Sequence, residues 1–306
     1  MRVRVVINRR SGTVLEHGAE ALADIVDAAF SEAGHEVTVA LLEPDELRGA
    51  LSEAFQEKPD AMISGGGDGT IRTAAPMAIE HGVALGILPF GTMNRLARDL
   101  GIPLDPEAAA RALAGAEPHP IDVAYVNDQM FLNNSIIGLP PDVNETRQEL
   151  RGKPFGTRVA GYFGMLAAIL RRRRRLAVAI DDGGRRRALR VMTVAVTNNP
   201  YAERPSLLLA RDRIDRGKLG LYISKHHSAL RFIWAMTWAV AGRWPRDEAF
   251  EQREVSAVEL DAKQSTIKVT NDGEIDRMTP PLRYEIRAGA LTVLLPKDTE
   301  RQSGGG

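Results

Sequence analysis

The sequence has 306 residues, 44% hydrophobic and 26% charged, which excludes a disordered chain and a membrane-spanning one. It contains no cysteine, which excludes disulfides, thiolate metal sites and cysteine nucleophiles and is common in reducing compartments. Lys and Arg balance Asp and Glu at 40 each, but residues 1–120 carry 10 basic against 18 acidic side chains and the rest carry 30 against 22, so the second part could meet an anionic surface.

The first part of the chain alternates strands with helices. Apolar periodicity predicts strands over 3–8, 36–42, 60–63 and 83–88 and helices over 16–33, 45–57, 71–81 and from residue 93. Strands alternating with helices at short spacing form a parallel sheet with helices on both faces. We therefore expect an α/β domain over residues 1–120, with a C-terminal segment near 287–300 returning to it.

After residue 120 the pattern changes to short strands. They are predicted over 121–126, 129–133, 176–180, 190–197, 219–224, 254–260, 265–270, 282–286 and 290–295, the first two as a hairpin. Helical stretches over 156–172 and 228–242 interrupt them. We expect a second, mostly antiparallel β-rich domain over residues 121–286.

The apolar runs are too short for a bilayer. The longest, 161–170 and 232–242, fall below the roughly 18 residues that a spanning helix needs. The first eight residues alternate like a strand and have no apolar signal core. These features favour a cytoplasmic protein.

The sharpest local signal is the run Ser64-Gly-Gly-Gly-Asp-Gly-Thr70, which follows an apolar strand and precedes a helix. Glycines let the backbone turn tightly and approach a ligand, and the helix presents its positive N-terminus, so the run favours a phosphate. A capped strand-to-helix turn is the simpler interpretation. The number of small residues exceeds what a cap needs.

Two further loops resemble it in position. Pro89-Phe-Gly-Thr-Met-Asn94 follows the next strand, and Asn8-Arg-Arg-Ser-Gly-Thr13 follows the first. The carboxyl ends of parallel strands are where open α/β sheets bind ligands. Together the three loops predict a nucleotide crevice.

Other kinds of site are disfavoured. The sequence has no Walker A lysine motif, no dinucleotide fingerprint, no protein-kinase H-R-D and no G-x-S-x-G, and its six histidines show no metal spacing. The late segment Asn271-Asp-Gly-Glu274 reads locally as a hairpin turn.

Four ordered motifs nevertheless resemble the diacylglycerol kinase catalytic-domain family, which includes sphingosine kinases and bacterial lipid kinases. They are Gly66-Gly-Asp-Gly-Thr70, Pro89 to Asn94 with Ala97 to Pro103, Asn133 to Leu139, and Asp272-Gly-Glu274. The resemblance runs from Asn8 to about Pro296.

The resemblance implies an ATP-dependent lipid kinase with an α/β nucleotide domain and a β-rich lipid domain. ATP would be held by Asn8, Ser11, Gly65, Gly66, Gly67, Asp68, Gly69, Thr70, Gly91, Thr92 and Asn94. Asp272 matches the family's general base with Glu274 beside it, while Asp68 has that role in the sphingosine-kinase branch. Mg²⁺ arrives with ATP.

The chain also departs from the family pattern. Arg72-Thr73 stands where many relatives have Asn-Glu, and Arg95 stands where Asp or His is common. In the family's metal-binding segment Arg216 replaces the acid before glycine, which leaves Asp215 as the candidate metal ligand. These changes indicate a retuned substrate or weak catalysis.

Two features of the second part suit a lipid surface. Arg171 to Arg175 could meet anionic head groups, and the apolar residues of 232–240 could either rest on a bilayer or face an ordinary core.

The sequence therefore favours a lipid kinase acting on a diacylglycerol-like or sphingoid alcohol. It would work peripherally at the inner face of an anionic membrane, without nucleic acid, as a monomer or homo-oligomer. The alternatives are an NAD kinase-like enzyme and a lipid- or nucleotide-binding protein without turnover.

Overall fold

The computed structural model describes residues 1–138, 175–184, 186–205, 209–243 and 248–297. The chain divides into two compact units. Unit 1 consists of residues 1–123, 212–215 and 288 onward, and unit 2 of residues 124–211 and 216–287. The predicted boundaries at 120 and 286 did not include the short return of 212–215 to unit 1. The predicted helix over 156–172 and Arg171 to Arg174 lie outside the described residues.

Unit 1 alternates strands and helices through its first 114 residues. The elements are β1 (Arg2–Asn8), α1 (Gly12–His17), α2 (Ala19–Glu32), β2 (Glu36–Leu42), α3 (Leu47–Gln56), β3 (Ala61–Gly66), α4 (Asp68–His81), β4 (Ala84–Pro89), α5 (Arg95–Asp99) and α6 (Pro106–Ala114). The predicted helix over 16–33 is two helices, because Gly18 separates them at φ 88, in the left-handed region.

The sheet of unit 1 is parallel, with strand order β2-β1-β3-β4. Every residue of β3 and β4 is buried, as expected for central strands covered on both faces. α2 packs its buried Leu22, Val26 and Phe30 inward. This arrangement brings the carboxyl ends of β1, β3 and β4 to one edge.

Unit 2 is built from antiparallel strands and one described helix, and the first and last of its strands include residues of unit 1. In chain order the further elements are β5 (Glu117–Val126), β6 (Gln129–Phe131), β7 (Asn134–Ile137), β8 (Leu176–Asp181), β9 (Arg187–Val191), β10 (Thr193–Asn198), β11 (Leu219–Ser224), α7 (Ala229–Val240), β12 (Phe250–Val255), β13 (Ala257–Ala262), β14 (Ile267–Asn271), β15 (Glu274–Met278) and β16 (Leu282–Leu295).

The strands of unit 2 form two layers around one core. Six strands pair in the order β12-β11-β10-β7-β14-β15, and β9-β8-β13 continue antiparallel to the first residues of β16. Alternate residues of both layers, such as Val194, Leu221, Val258 and Leu260, point into a shared apolar cluster. The predicted fold class is confirmed: an α/β parallel-sheet unit and a separate antiparallel unit.

Strand boundaries differ from the prediction at three places. The run predicted over 190–197 is divided at Met192, and the run over 254–260 is divided at Ser256. The runs over 282–286 and 290–295 are one strand, β16, although Gly289 within it has φ 62. Its last residues pair parallel to β4 through Val293 and Leu85.

No helix in the described ranges is long and apolar enough to cross a bilayer. 

The core of unit 2 contains a buried tyrosine whose ionisation limits stability. The Tyr284 hydroxyl lies 3.1 Å from Ser135 Oγ, and burial raises the pKa of Tyr284 well above its usual value of 10. The phenol therefore stays protonated in the folded chain when the unfolded chain has begun to lose that proton. A raised folded pKa gives stability that is present below pH 10 and is lost above it.

We expect the Tyr284→Phe variant to lose less stability than the parent as the pH rises into the alkaline range. Above about pH 10 the free energy of unfolding should fall less steeply than in the parent, by about 1.4 kcal/mol per pH unit for one proton. At neutral pH the variant should lose about 1 kcal/mol, since Ser135 loses a partner. Urea unfolding followed by circular dichroism at several pH values measures both. Tyr125→Phe, at a partly exposed position, is the control, and parallel pH curves for parent and Tyr284→Phe would contradict the prediction.

Candidate functional site

Three loops of unit 1 meet at the carboxyl edge of its sheet. They follow β1, β3 and β4 and span residues 8–13, 65–70 and 89–95. Backbone hydrogen bonds tie them, since Thr13 N donates to Phe90 O at 3.0 Å. The Asn8 amide also donates to Thr70 Oγ1 at 3.2 Å. The structure thus brings together all the nucleotide residues predicted from the sequence: Asn8, Ser11, Gly65, Gly66, Gly67, Asp68, Gly69, Thr70, Gly91, Thr92 and Asn94.

Glycine is required where two of these loops touch. A Cβ at Gly91 would overlap the Cα of Gly67, and a Cβ at Gly66 would overlap the Thr70 side chain. Gly67 itself is extended, with φ −91 and ψ −176, so its backbone conformation is open to any residue. Close approach of the two backbones therefore explains Gly91, and contact with the Thr70 side chain explains Gly66. A side chain at Gly91 would push the two loops apart.

Helix α4 begins at the glycine loop. It has 14 residues from Asp68 to His81, and Thr70 and Ile71 both donate their N–H to Gly67 O. The N–H groups of a first helical turn have no carbonyl within the helix, and the helix end carries a partial positive charge. The helix start therefore suits a phosphate.

Asn94 and Asp68 have structural bonds that the sequence did not indicate. Asn94 adopts φ 49, its Oδ1 accepts from Gly91 N at 2.9 Å, and its amide donates to Pro89 O and Gly91 O. The Asp68 carboxylate accepts from Arg95 N at 2.9 Å. Both side chains thus hold the Pro89 loop in shape beside the glycine loop.

In unit 2 the Asp272 carboxylate accepts three hydrogen bonds from consecutive backbone amides. Leu132 N donates to Oδ2 at 2.7 Å, while Asn133 N and Asn134 N donate to Oδ1 at 2.8 and 3.0 Å. Asp272 N in turn donates to Asn134 O at 2.8 Å. Asp272 has φ 50, a left-handed conformation that Asp tolerates better than most residues. Its carboxylate is therefore fixed in place by the chain around residue 133.

A buried arginine holds the same segment from another direction. Arg211, 2% exposed, donates to Leu132 O at 2.7 Å, to Asn198 O at 2.6 Å and to Asn133 Oδ1 at 3.0 Å. Asn198 adds a bond from its amide to Leu132 O at 3.1 Å. We refer to Leu132–Asn134, Asn198, Arg211 and Asp272 as the Asp272 network. Arg211 could not be identified from the sequence, because nothing in the pattern around it distinguishes a buried arginine from the many exposed ones.

The environment of Asp272 makes it a better proton acceptor than an ordinary carboxylate. The residue keeps some exposed surface, but its carboxyl group lies among the donors of the network. Burial raises the pKa of Asp272 above its ordinary value, and this outweighs the three amides and the Arg211 charge, which act to lower it. A carboxylate with a raised pKa binds a proton more readily.

The two other predicted carboxylates, Glu274 and Asp215, are not part of the Asp272 network. Glu274 is exposed at the start of β15, opposite Asn271 in the β14–β15 hairpin. Asp215 lies in the short segment of unit 1, and its two oxygens accept from Arg213 at 2.9 and 3.2 Å.

Asp215 has surroundings that do not suit a divalent cation. The Arg213 guanidinium already supplies positive charge to its carboxylate, and within the described ranges no three His, Asp or Glu side chains group to hold a metal. Arg216 donates its N–H to Asn199 Oδ1 and pairs with Glu254 at 3.0 Å. We therefore derive no step through a metal at this segment.

Comparison with known proteins gives matches in both parts of the chain. A model of the diacylglycerol kinase catalytic domain matches residues 2–126, and a model of the YegS C-terminal NAD kinase beta sandwich-like domain matches residues 138–295. Relatives named "Probable lipid kinase YegS-like" include one from Pseudomonas aeruginosa, 31% identical over 92% of each chain, and one from Pseudomonas fluorescens, 29% identical over 97% of this chain and 99% of the relative. A solved diacylglycerol kinase structure from Bacillus anthracis matches with a TM-score of 0.70 at 20% identity over 97% of both chains, a likeness of fold.

We expect Gly91→Ala to destabilise the chain through the contact between the two loops. The added methyl group would overlap the Gly67 backbone, and overpacking of this kind costs about 1–3 kcal/mol. Urea unfolding measures the loss. Gly115→Ala is the matched control, because its Cβ would meet nothing within 4 Å and its φ is −97. Equal stability of the two variants would show that the loops are not in close contact.

Proposed function

The chain belongs to the diacylglycerol kinase catalytic-domain family of YegS-like lipid kinases, and from this premise we propose that it transfers the γ-phosphoryl group of ATP to the hydroxyl of a diacylglycerol-like or sphingoid lipid. The single observation that carries the proposal is the start of α4 beside the bare backbones of Gly67 and Gly91. A helix N-terminus flanked by glycine backbone favours an anionic phosphate chain over other ligands.

In the proposed reaction the loops of unit 1 hold ATP. The α4 N-terminus binds phosphate oxygens, while Asn8, Ser11, Thr70 and Thr92 supply polar groups around it. Mg²⁺ bound with ATP would neutralise charge on the transferred group. The protein's own contribution is chiefly to position the reactants.

The Asp272 carboxylate accepts the proton of the lipid hydroxyl. The new bond joins the lipid oxygen to the γ-phosphorus, the bond to the β,γ-bridging oxygen breaks, and ADP leaves with that electron pair. The proton passes to Asp272 and then to water. Oδ2 is the oxygen we assign to this step, since Oδ1 already accepts two amides and Oδ2 accepts one. Glu274, two residues on, adds negative charge near the same turn.

Two alternatives are separated by direct assays. An NAD kinase-like enzyme shares the fold of unit 2 by family description, and NADP formation from NAD would reveal it. A protein that binds without turnover would bind ATP but phosphorylate no lipid in an extract labelled with [γ-³²P]ATP. Arg72, Arg95 and Arg216 motivate that second alternative, since all three are departures from the family pattern.

Asp272→Asn should lower kcat about 100-fold or more while ATP affinity stays near the parent value. The amide has a similar shape and tolerates the left-handed backbone, and its oxygen can keep the Asn133 and Asn134 bonds while its NH2 group faces Leu132 N without a bond. It cannot accept a proton, and general-base catalysis is worth about 10²–10⁴ in rate. Lipid phosphorylation and calorimetric ATP binding measure the two quantities.

The control for Asp272→Asn must loosen the same segment without removing the carboxylate. Arg211→Lys does so, because a lysine cannot reach Leu132 O, Asn198 O and Asn133 Oδ1 together. Asp272→Asn should lose far more kcat than Arg211→Lys at similar melting temperature. If Asp272→Asn stays active and Asp68→Asn is inactive with ATP binding intact, the base is Asp68.

The loss of activity at low pH should be caused by protonation of Asp272. The carboxylate must be ionised to accept a proton, so activity falls as pH drops through its pKa, which burial places above the usual value for Asp. We expect this acid limb of the pH–rate profile in kcat for the parent and its loss in Asp272→Asn. Ionisation of ATP is common to both proteins and cancels in the comparison. Identical limbs in the two proteins would exclude Asp272 as the base.

A further inference from the structure

Helix α7 of unit 2 carries large apolar side chains on its outer face. Leu230 is 67% exposed, Trp234 62% and Trp238 37%, at i, i+4 and i+8 spacing, so the three lie in one row. We call this row the tryptophan stripe. In the described residues only six large hydrophobic side chains are exposed, and half of them are in this stripe.

The inner face of α7 is already buried. Ala235 and Ala239 are 1% exposed and turn toward the unit, while the stripe points away from them. The rings of Trp234 and Trp238 pack edge to face with centroids 5.6 Å apart. The stripe is therefore an ordered surface and lies apart from the core of unit 2.

The segment of chain that carries the stripe has charge of one sign. The sequence from Lys225 to Arg246 contains four Lys and Arg and two His but no Asp or Glu. Arg231 is exposed on α7, and the Arg243 guanidinium lies 5.8 Å from the centre of the Trp238 ring. An apolar stripe with basic flanks complements a surface that is apolar inside and anionic outside.

The size of the stripe favours a bilayer over a protein partner. Even fully buried aromatic side chains contribute only about 150–250 Å² each, so two partly exposed tryptophans and one leucine fall below the ~800 Å² per partner of a stable protein interface. Tryptophan rings prefer the interfacial region of a bilayer, where one edge is apolar and the N–H remains hydrated.

We propose that the tryptophan stripe is a membrane-contact surface that inserts shallowly into a bilayer containing anionic lipid. The inference deepens the proposed function, since a lipid substrate resides in such a bilayer, but it requires no turnover. Arg231 and Arg243 contact the anionic head groups, while Leu230, Trp234 and Trp238 lie among the upper acyl carbons. Arg175, the one described member of the basic run, donates to His227 Nε2 at 2.7 Å beside the start of α7.

The test is vesicle binding by the full chain in the absence of ATP. Vesicles of phosphatidylcholine with phosphatidylglycerol should bind the parent and shift its tryptophan emission to the blue, and brominated acyl chains should quench that emission. Leu230→Gln with Trp234→Gln should lower the partition coefficient about tenfold or more. Leu15→Gln with Leu104→Gln, at positions 64% and 40% exposed in unit 1, is the matched control and should bind like the parent.

Arg231→Gln with Arg243→Gln should weaken binding to the anionic vesicles and reduce its dependence on salt. Circular dichroism and melting temperature establish that each variant is folded. Absence of parent binding, or an equal loss in the control variant, would overturn the inference. So would a dimer that dissociates in Leu230→Gln/Trp234→Gln, since a second copy would then cover the stripe.

Turnover on a short-chain, water-soluble lipid separates this inference from the proposed function. If the stripe variant keeps parental turnover there and parental binding to vesicles, only the membrane surface is wrong. If the parent binds vesicles through the stripe but phosphorylates no lipid, only the proposed kinase activity is wrong.

Discussion

The Asp272 carboxylate sets the geometry of unit 2 because it accepts the N–H groups of three consecutive residues. Leu132 and Asn133 connect β6 to β7, and Asn134 is the first residue of β7. Arg211 and Asn198 bind the Leu132 carbonyl oxygen on the other edge of this segment. Both edges of this short segment are thus held by side chains that come from distant parts of the sequence. A carboxylate placed this way cannot reorient without breaking the bonds that position it, which is the kind of rigidity that general-base chemistry needs.

In unit 1 the geometry of the site depends on glycines and not on a held carboxylate. Here the main constraint is the absence of side chains, since the loops after β3 and β4 meet at glycine backbones. Asn94 and Asp68 hold these loops through bonds to main-chain atoms. A single polar residue among glycines can therefore decide the shape of a loop beside the start of α4. This explains why a side chain expected to touch a ligand is used to support the loop.

The sequence allowed the fold class and the position of the loops to be predicted, because both follow from periodicity and from glycine after buried strands. It could not show what Asp272 and Arg211 do. A D-G pair has the same local pattern in a hairpin turn and in a held carboxylate, and the bonds that distinguish them join residues about 140 positions apart. Nor could it divide the runs at Met192 and Ser256, where the chain passes between layers without proline or glycine to mark the change. The exposed face of α7 could not be predicted either, because spacing identifies a row of apolar residues on the helix but does not show whether that row faces the core or the solvent.

Strand β16 delays completion of the unit 1 sheet during synthesis of the chain. It is the last described strand, yet its final residues pair with β4 inside unit 1, whose other strands come from the first 126 residues. A ribosome therefore has to synthesise the residues of unit 2 before unit 1 can acquire this strand. Until then the outer edge of β4 has open hydrogen-bonding groups, which are a template for unwanted pairing. Slow synthesis of unit 2 would lengthen that exposure.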